Sequence, residues 1–272
     1  MGRWTLPSRW LGVPTIVVGV ARRCETPPMI EREIDVETPD GEMKTFVFHP
    51  EHGGPHPVVL YLMDAPSIRP ALRDMASRLA TAGYYVMLPY LFYRGGPFRE
   101  FGMTDEDMHA RQELMGTVTP TNIVGDADAL LAHAASDPAA SPGPAGAVGF
   151  CMSGGLVVSL ARTRPERIKA GASIHGAWMV RDTPDSPHLD LEAVDAELHF
   201  AWCKDDPLAP EDHRAVMTDA LDRGGVTYSL DLMTEAVHGF APPGPRYDRY
   251  ASELHWERVH SLFRRRLQAP TG

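Results

Sequence analysis

The stretch Ala145-Gly146-Ala147-Val148-Gly149-Phe150-Cys151-Met152-Ser153-Gly154-Gly155 decides how the rest of the chain is read. Residues 145–150 are small or apolar throughout, as expected of a strand buried on both faces. Gly154–Ala161 then reads as a helix directly behind it, so strand passes into helix across three residues. So sharp a turn is crowded, and the positions two before and two after its apex must be small. Gly149 and Ser153 meet that need around Cys151. A helix that begins behind a cysteine points its free N–H groups and positive dipole end at the sulfur, which favours the thiolate. Cys151 is therefore the candidate nucleophile, and the Met152 N–H a candidate oxyanion donor. Ser153 is the competing nucleophile, but centring the turn on it moves the bend into the helix. The bland reading of Cys151 is an inert core thiol.

Outward from this turn, strands and helices alternate. Ile30–Val36 and Thr45–His49 alternate apolar and polar residues around Pro39-Asp40-Gly41, which predicts an antiparallel hairpin. Pro57–Met63 and Tyr84–Leu88 are apolar runs separated by helical spacing over Arg69–Ala82 and a closing Gly83. Asp105–Met115 and Ile123–Ala135 read as helices. Beyond the turn, Ala170–Ile174, Glu197–Trp202 and Tyr228–Leu232 read as strands, with helices over Glu211–Arg223 and Tyr247–Leu267. An antiparallel start followed by repeated strand–helix units predicts an α/β fold, a mostly parallel sheet with helices on both faces. Reactive side chains in such sheets gather at the carboxyl ends of strands.

Two partners for Cys151 stand at such ends, in the order nucleophile, acid, histidine. Asp205 and Asp206 follow the Glu197–Trp202 strand, and His238 follows Tyr228–Leu232. A histidine can take the thiol proton and later protonate a leaving oxygen, and an aspartate can hold its tautomer. The competing readings are a helix-capping aspartate and a surface histidine, one of 12 in the chain.

Composition narrows the function classes. The 272 residues carry 26 basic and 36 acidic side chains, a net charge of −10. That balance opposes binding to nucleic acid or to an anionic membrane. Three cysteines, Cys24, Cys151 and Cys203, give no disulfide framework and no zinc spacing, which favours a reducing, cytoplasmic setting. No metal ligand set and no phosphate loop is visible, so no cofactor is expected. Residues 1–28 hold Arg3, Arg9, an apolar stretch and Arg22-Arg23. They read as an extension, disordered or upstream of the true start, with a signal peptide as the alternative. Residues 29–268 form the predicted domain.

Gly149-Phe150-Cys151-Met152, Asp206-x-x-x-Pro210 and Ala236-Val237-His238-Gly239-Phe240 together resemble the dienelactone hydrolase family, over roughly residues 30–268. The resemblance implies an α/β-hydrolase fold and cleavage of a small-molecule ester or lactone through an acyl-cysteine. It implies Cys151, His238 and Asp206 as the triad, with Pro210 fixing Asp206 over Asp205. It places Asp64 where the family has a glutamate beside the thiol, and the Ala65 N–H as second oxyanion donor. It places Arg94 where the family binds a substrate carboxylate, a task for which a guanidinium fork is suited. The family's second arginine, after the His-x-Phe segment, is missing: Ala241-Pro242-Pro243-Gly244-Pro245 fills that stretch and the nearest arginine is Arg246. The alternatives are a non-catalytic ligand- or partner-binding protein, and a thioesterase or acyl transferase on the same scaffold. Monomer and dimer remain open. His175, after a strand, is a candidate pocket residue, and Tyr90, Phe92, Tyr93 and Phe98 form an aromatic set suited either to a substrate wall or to core packing.

Overall fold

The computed structural model describes residues 28–102 and 104–268. The expected extension, residues 1–28, lies outside them except for Pro28. A hairpin of β1 (Met29–Thr38) and β2 (Gly41–Pro50) opens the chain. Then come β3 (Val58–Leu62), α1 (Pro70–Ala80), β4 (Tyr85–Pro89), α2 (Asp105–Met115), α3 (Asn122–Ala135), β5 (Ala145–Phe150), α4 (Gly154–Thr163) and β6 (Ile168–Ile174). The chain ends with β7 (Glu197–Cys203), α5 (Glu211–Arg223), β8 (Tyr228–Met233) and α6 (Arg249–Leu267).

The eight strands form one sheet in the order β1-β2-β4-β3-β5-β6-β7-β8. β1 and β2 are antiparallel to each other, β2 is antiparallel to β4, and every other pairing is parallel. Every residue of β3, β4 and β5 is buried, so both faces of the sheet centre are covered. α1 and α6 lie side by side, joined by Arg78 to Glu253 at 2.8 and 3.0 Å and by Arg78 over the Trp256 ring. α3 packs on β1 and β3, and α4 on β5 and β6.

β3 has β4 on one side and β5 on the other. The strand order therefore reverses between β3 and β5, and a crevice opens beyond their carboxyl ends. Residues 64–69 and 151–153 leave the sheet there.

The segment after β4 is pinned from three sides. Arg94 donates from Nη1 and Nη2 to the two Asp126 oxygens of α3, at 3.0 and 2.8 Å, and from Nε to Asp40 of the hairpin turn at 2.7 Å. The Tyr93 hydroxyl also donates to Asp126, at 2.7 Å. Asp126 is 2% exposed, so it depends on the guanidinium for its charge to be tolerated. Tyr90, Phe92 and Phe98 meet edge to face at 5.2–5.9 Å and pack into the core with Phe46 rather than walling a pocket.

Arg94→Gln would strand the Asp126 carboxylate, and it is expected to cost about 3 kcal/mol or more. Arg223→Gln breaks an exposed ion pair with Asp219 and is expected to cost under about 0.5 kcal/mol. Parallel thermal melts of the two variants measure the difference.

Candidate active site

The turn at Cys151 is as tight as its sequence suggests. Cys151 has φ +54°, in the left-handed region that a side chain rarely adopts. A Cβ on Gly149 would lie 2.4 Å from the Ser153 carbonyl oxygen and 2.9 Å from Val157 Cγ2. A Cβ on Gly154 would lie 2.4 Å from Gly176 Cα. Both positions are closed to anything larger than glycine. A short 3-10 turn over Cys151–Ser153 leads into α4, and Cys151 is half-buried.

Ser153 is fully buried and its hydroxyl is saturated. Oγ accepts from the Phe150 N–H at 2.9 Å and lies 3.0 Å from both the Leu62 and Phe150 carbonyl oxygens. It ties the turn to the end of β3, and it faces away from solvent.

His238 follows β8 and Asp206 follows β7. His238 Nδ1 and Asp206 Oδ2 are 2.7 Å apart in a buried pair, and Asp206 Oδ1 accepts the Leu208 N–H at 2.9 Å. Asp205, one residue earlier, is exposed. Burial alone would lower the imidazole pKa. Hydrogen bonding to Asp206, and then attraction to the nearby Cys151 sulfur, overcome this and raise it to about 9. Nε2 is buried and has no hydrogen bond of ordinary geometry among the described residues.

Cys203, at the end of β7, is the contrast. Burial first, and the Asp206 charge second, push its thiol up to about 12. It stays neutral, whereas Cys151 sits beside an imidazole inclined to hold a proton.

Asp64, at the end of β3, is 4% exposed. Arg69 holds both its oxygens, Nη1 to Oδ1 at 2.6 Å and Nη2 to Oδ2 at 2.9 Å, and Nη1 also reaches the Ser67 carbonyl at 2.9 Å. This pair clamps the 64–69 loop that carries Ala65. Nothing in the spacing of Asp64 and Arg69 announced it. Arg94 does not join the cluster, because its fork is filled by Asp126 and Asp40. Arg246 folds back on the histidine loop and reaches the His238 carbonyl at 3.4 Å.

His175 lies beneath the site rather than lining it. Its ring meets His238 edge to face at 5.1 Å and Phe240 at 5.2 Å, and it is 1% exposed. Burial, and then the neighbouring His238, hold its pKa well below the ordinary imidazole value, so it packs as a neutral ring.

The comparisons agree with this picture of the fold. A protein of Synechocystis sp. named "Putative carboxymethylenebutenolidase" is 27% identical over 227 residues, 82% of this chain and 92% of its own length. The carboxymethylenebutenolidase of a Pseudomonas sp. is 32% identical over 111 residues, 40% of this chain and 45% of its own. A solved structure from Klebsiella pneumoniae, titled as a "Putative Dienelactone Hydrolase", superposes with a TM-score of 0.77 at 22% identity, over 87% of this chain and 98% of that one. An acylaminoacyl peptidase of Pyrococcus horikoshii superposes with a TM-score of 0.66 at 17% identity, over 90% of this chain and 43% of that one. The sheet is that of the α/β-hydrolase fold. The model of the dienelactone hydrolase family matches residues 43–267, nearly the whole described chain, and the protein belongs to that family of hydrolytic enzymes.

Proposed function

We propose that the protein hydrolyses a carboxylic ester or lactone through an acyl-cysteine intermediate, with Cys151, His238 and Asp206 as the reacting group. The observation that carries this reading is the buried 2.7 Å contact of His238 with Asp206 beside a cysteine at φ +54°. Strain of that kind persists where the surroundings over-determine it, and it gathers at reacting centres. The raised His238 pKa keeps a protonated imidazole beside the Cys151 sulfur near neutral pH.

The Cys151 sulfur attacks the substrate carbonyl carbon, and the carbonyl oxygen takes up negative charge. In this reading the N–H groups of Met152 and Ala65, from the loops after β5 and β3, stabilise that oxyanion. The tetrahedral species collapses as His238 protonates the departing alkoxide, leaving a thioester on Cys151. His238, now neutral, takes a proton from water, and the resulting hydroxide attacks the thioester. The acid leaves, and sulfur and imidazolium return to their starting state. Asp206 holds the imidazole tautomer throughout. Asp64 acts through Arg69 by fixing the loop that carries Ala65. A thiol-dependent reaction suits a reducing, cytoplasmic compartment.

A chromogenic aryl ester with mass spectrometry tests the assignment. Cys151→Ala should lose the acyl adduct, and Cys151→Ala and His238→Ala should each lower kcat by about 10⁴-fold or more. Ser153→Ala should keep the adduct on Cys151 and lower stability by about 1–3 kcal/mol, because the Phe150 N–H is left unpaired. An adduct that vanishes with Ser153 and survives in Cys151→Ala would sink the reading.

The raised His238 pKa also sets a pH window. Its contribution to folding is complete below 6.5, the ordinary imidazole value, and is lost as pH rises through about 9. The melting-temperature gap between the wild type and Asp206→Asn is expected to be widest near about pH 6 and to narrow by about pH 9.5. A gap that widens over that range would contradict the assigned charge state.

A further inference from the structure

Among the described residues, five non-glycine residues have positive φ, and four follow strands at the crevice edge of the sheet. Ser67 (φ +70°) follows β3, Cys151 (+54°) follows β5, and His175 (+38°) and Trp178 (+59°) follow β6. The first two belong to the loops described above, and His175 packs under His238. Trp178 has no part in that machinery, yet its backbone is held in the same costly region.

The turn that carries Trp178 is pressed against the reacting cysteine. The Ala177 N–H donates to the Cys151 carbonyl at 2.8 Å. A Cβ on Gly155 would lie 3.0 Å from the Trp178 carbonyl oxygen. Strain at Trp178 thus sets its side chain one residue beyond an atom bonded to the nucleophile's own backbone.

A cavity of about 390 Å³ opens at this point, lined by Gln112, Met115, Gly116, Val118, Trp178 and Arg181. Its size is that of a small-molecule site. Met115, Val118 and the indole supply apolar surface. Arg181 lies near the indole face, 5.9 Å from the ring centroid. Among the described residues no carboxylate lies within ion-pair distance of it, and the nearby Asp185 is hydrogen-bonded by the Thr121 hydroxyl at 2.9 Å. This contrasts with Arg69 and Arg94, whose forks are filled by Asp64, and by Asp126 with Asp40. The opposite wall is the end of α2, which has no fully buried residue.

We propose that this cavity is a subsite for an aromatic group that bears an oxyanion, with the ring against Trp178 and Met115 and the charge at Arg181. A flat ring gains stacking and apolar contact on the indole, and a guanidinium gives an oxyanion a charge-assisted hydrogen bond. The substrate of the ester hydrolysis read above would then carry such a group next to its reacting carbonyl; only this last statement rests on that reading, since binding itself does not.

Calorimetric titration of the full chain with 2-naphthoate, and with neutral 2-naphthylmethanol, tests the subsite without turnover. Saturable binding of 2-naphthoate is expected to weaken about tenfold in Arg181→Gln and to recover in part in Arg181→Lys. Trp178→Leu should weaken both ligands. Arg223→Gln, which removes the same charge on the far end of α5, should bind 2-naphthoate as the wild type does. Hydrolysis is then compared for p-nitrophenyl benzoate and p-nitrophenyl 4-carboxybenzoate, whose kcat/KM ratio should shift toward the neutral ester in Arg181→Gln. Equal 2-naphthoate affinity in the wild type and Arg181→Gln, or no saturable binding, overturns the proposal even if both esters are cleaved. Arg181-dependent binding with neither ester cleaved supports the subsite and sinks the hydrolase reading instead.

Discussion

The site depends on one close approach, the passage of the Ser153 carbonyl over Gly149. With no Cβ between them, the chain can reverse direction at Cys151 and send α4 back along β5. Three consequences follow together. Cys151 is lifted into a left-handed backbone above the sheet edge. Met152 and Ser153 complete the short 3-10 turn that leads into α4. Ser153 turns inward, where its hydroxyl is bound by Leu62 and Phe150 and so links β5 to β3. The loops that leave the two strands at Asp64 and Cys151 are therefore held in register by a buried hydroxyl.

Electrostatics then separates two cysteines of one chain. Both stand at the carboxyl end of a strand near Asp206. For Cys203 the carboxylate acts directly and raises the thiol further, on top of burial. For Cys151 the same carboxylate is met through His238, which it keeps inclined to hold a proton beside the sulfur.

The order of elements was legible because hydrophobic period and turn residues are local properties. β5, α2 and α5 begin and end where the apolar pattern changes. α6 starts two residues later than its periodicity suggests, because the Asp248 side chain caps it by accepting the Ala251 N–H. In the site, the order Cys151, Asp206, His238 could be read along the chain, and Pro210 gave the register that puts Asp206, buried, on His238 and leaves Asp205 in solvent. What stayed hidden were the choices of partner. Arg94 and Asp126 are 32 residues apart and Asp64 and Arg69 only five, yet neither pair had a spacing that distinguished it from any other arginine and aspartate. An arginine placed by position to meet a substrate is instead committed to a buried carboxylate, which only packing reveals.

The burial of α2 has a consequence for how this chain can change. Its eleven residues include none that is fully buried, and Met108 is 42% exposed, although the end of the helix walls the cavity at Trp178. Leu114 and Met115 pack against the core, but substitutions on the exposed face touch little of it, so stability constrains them weakly. The strained turn, the histidine pair and the clamped loops have no such freedom. Change can therefore accumulate along the exposed face of one helix that borders the cavity, while the turn at Cys151 stays fixed.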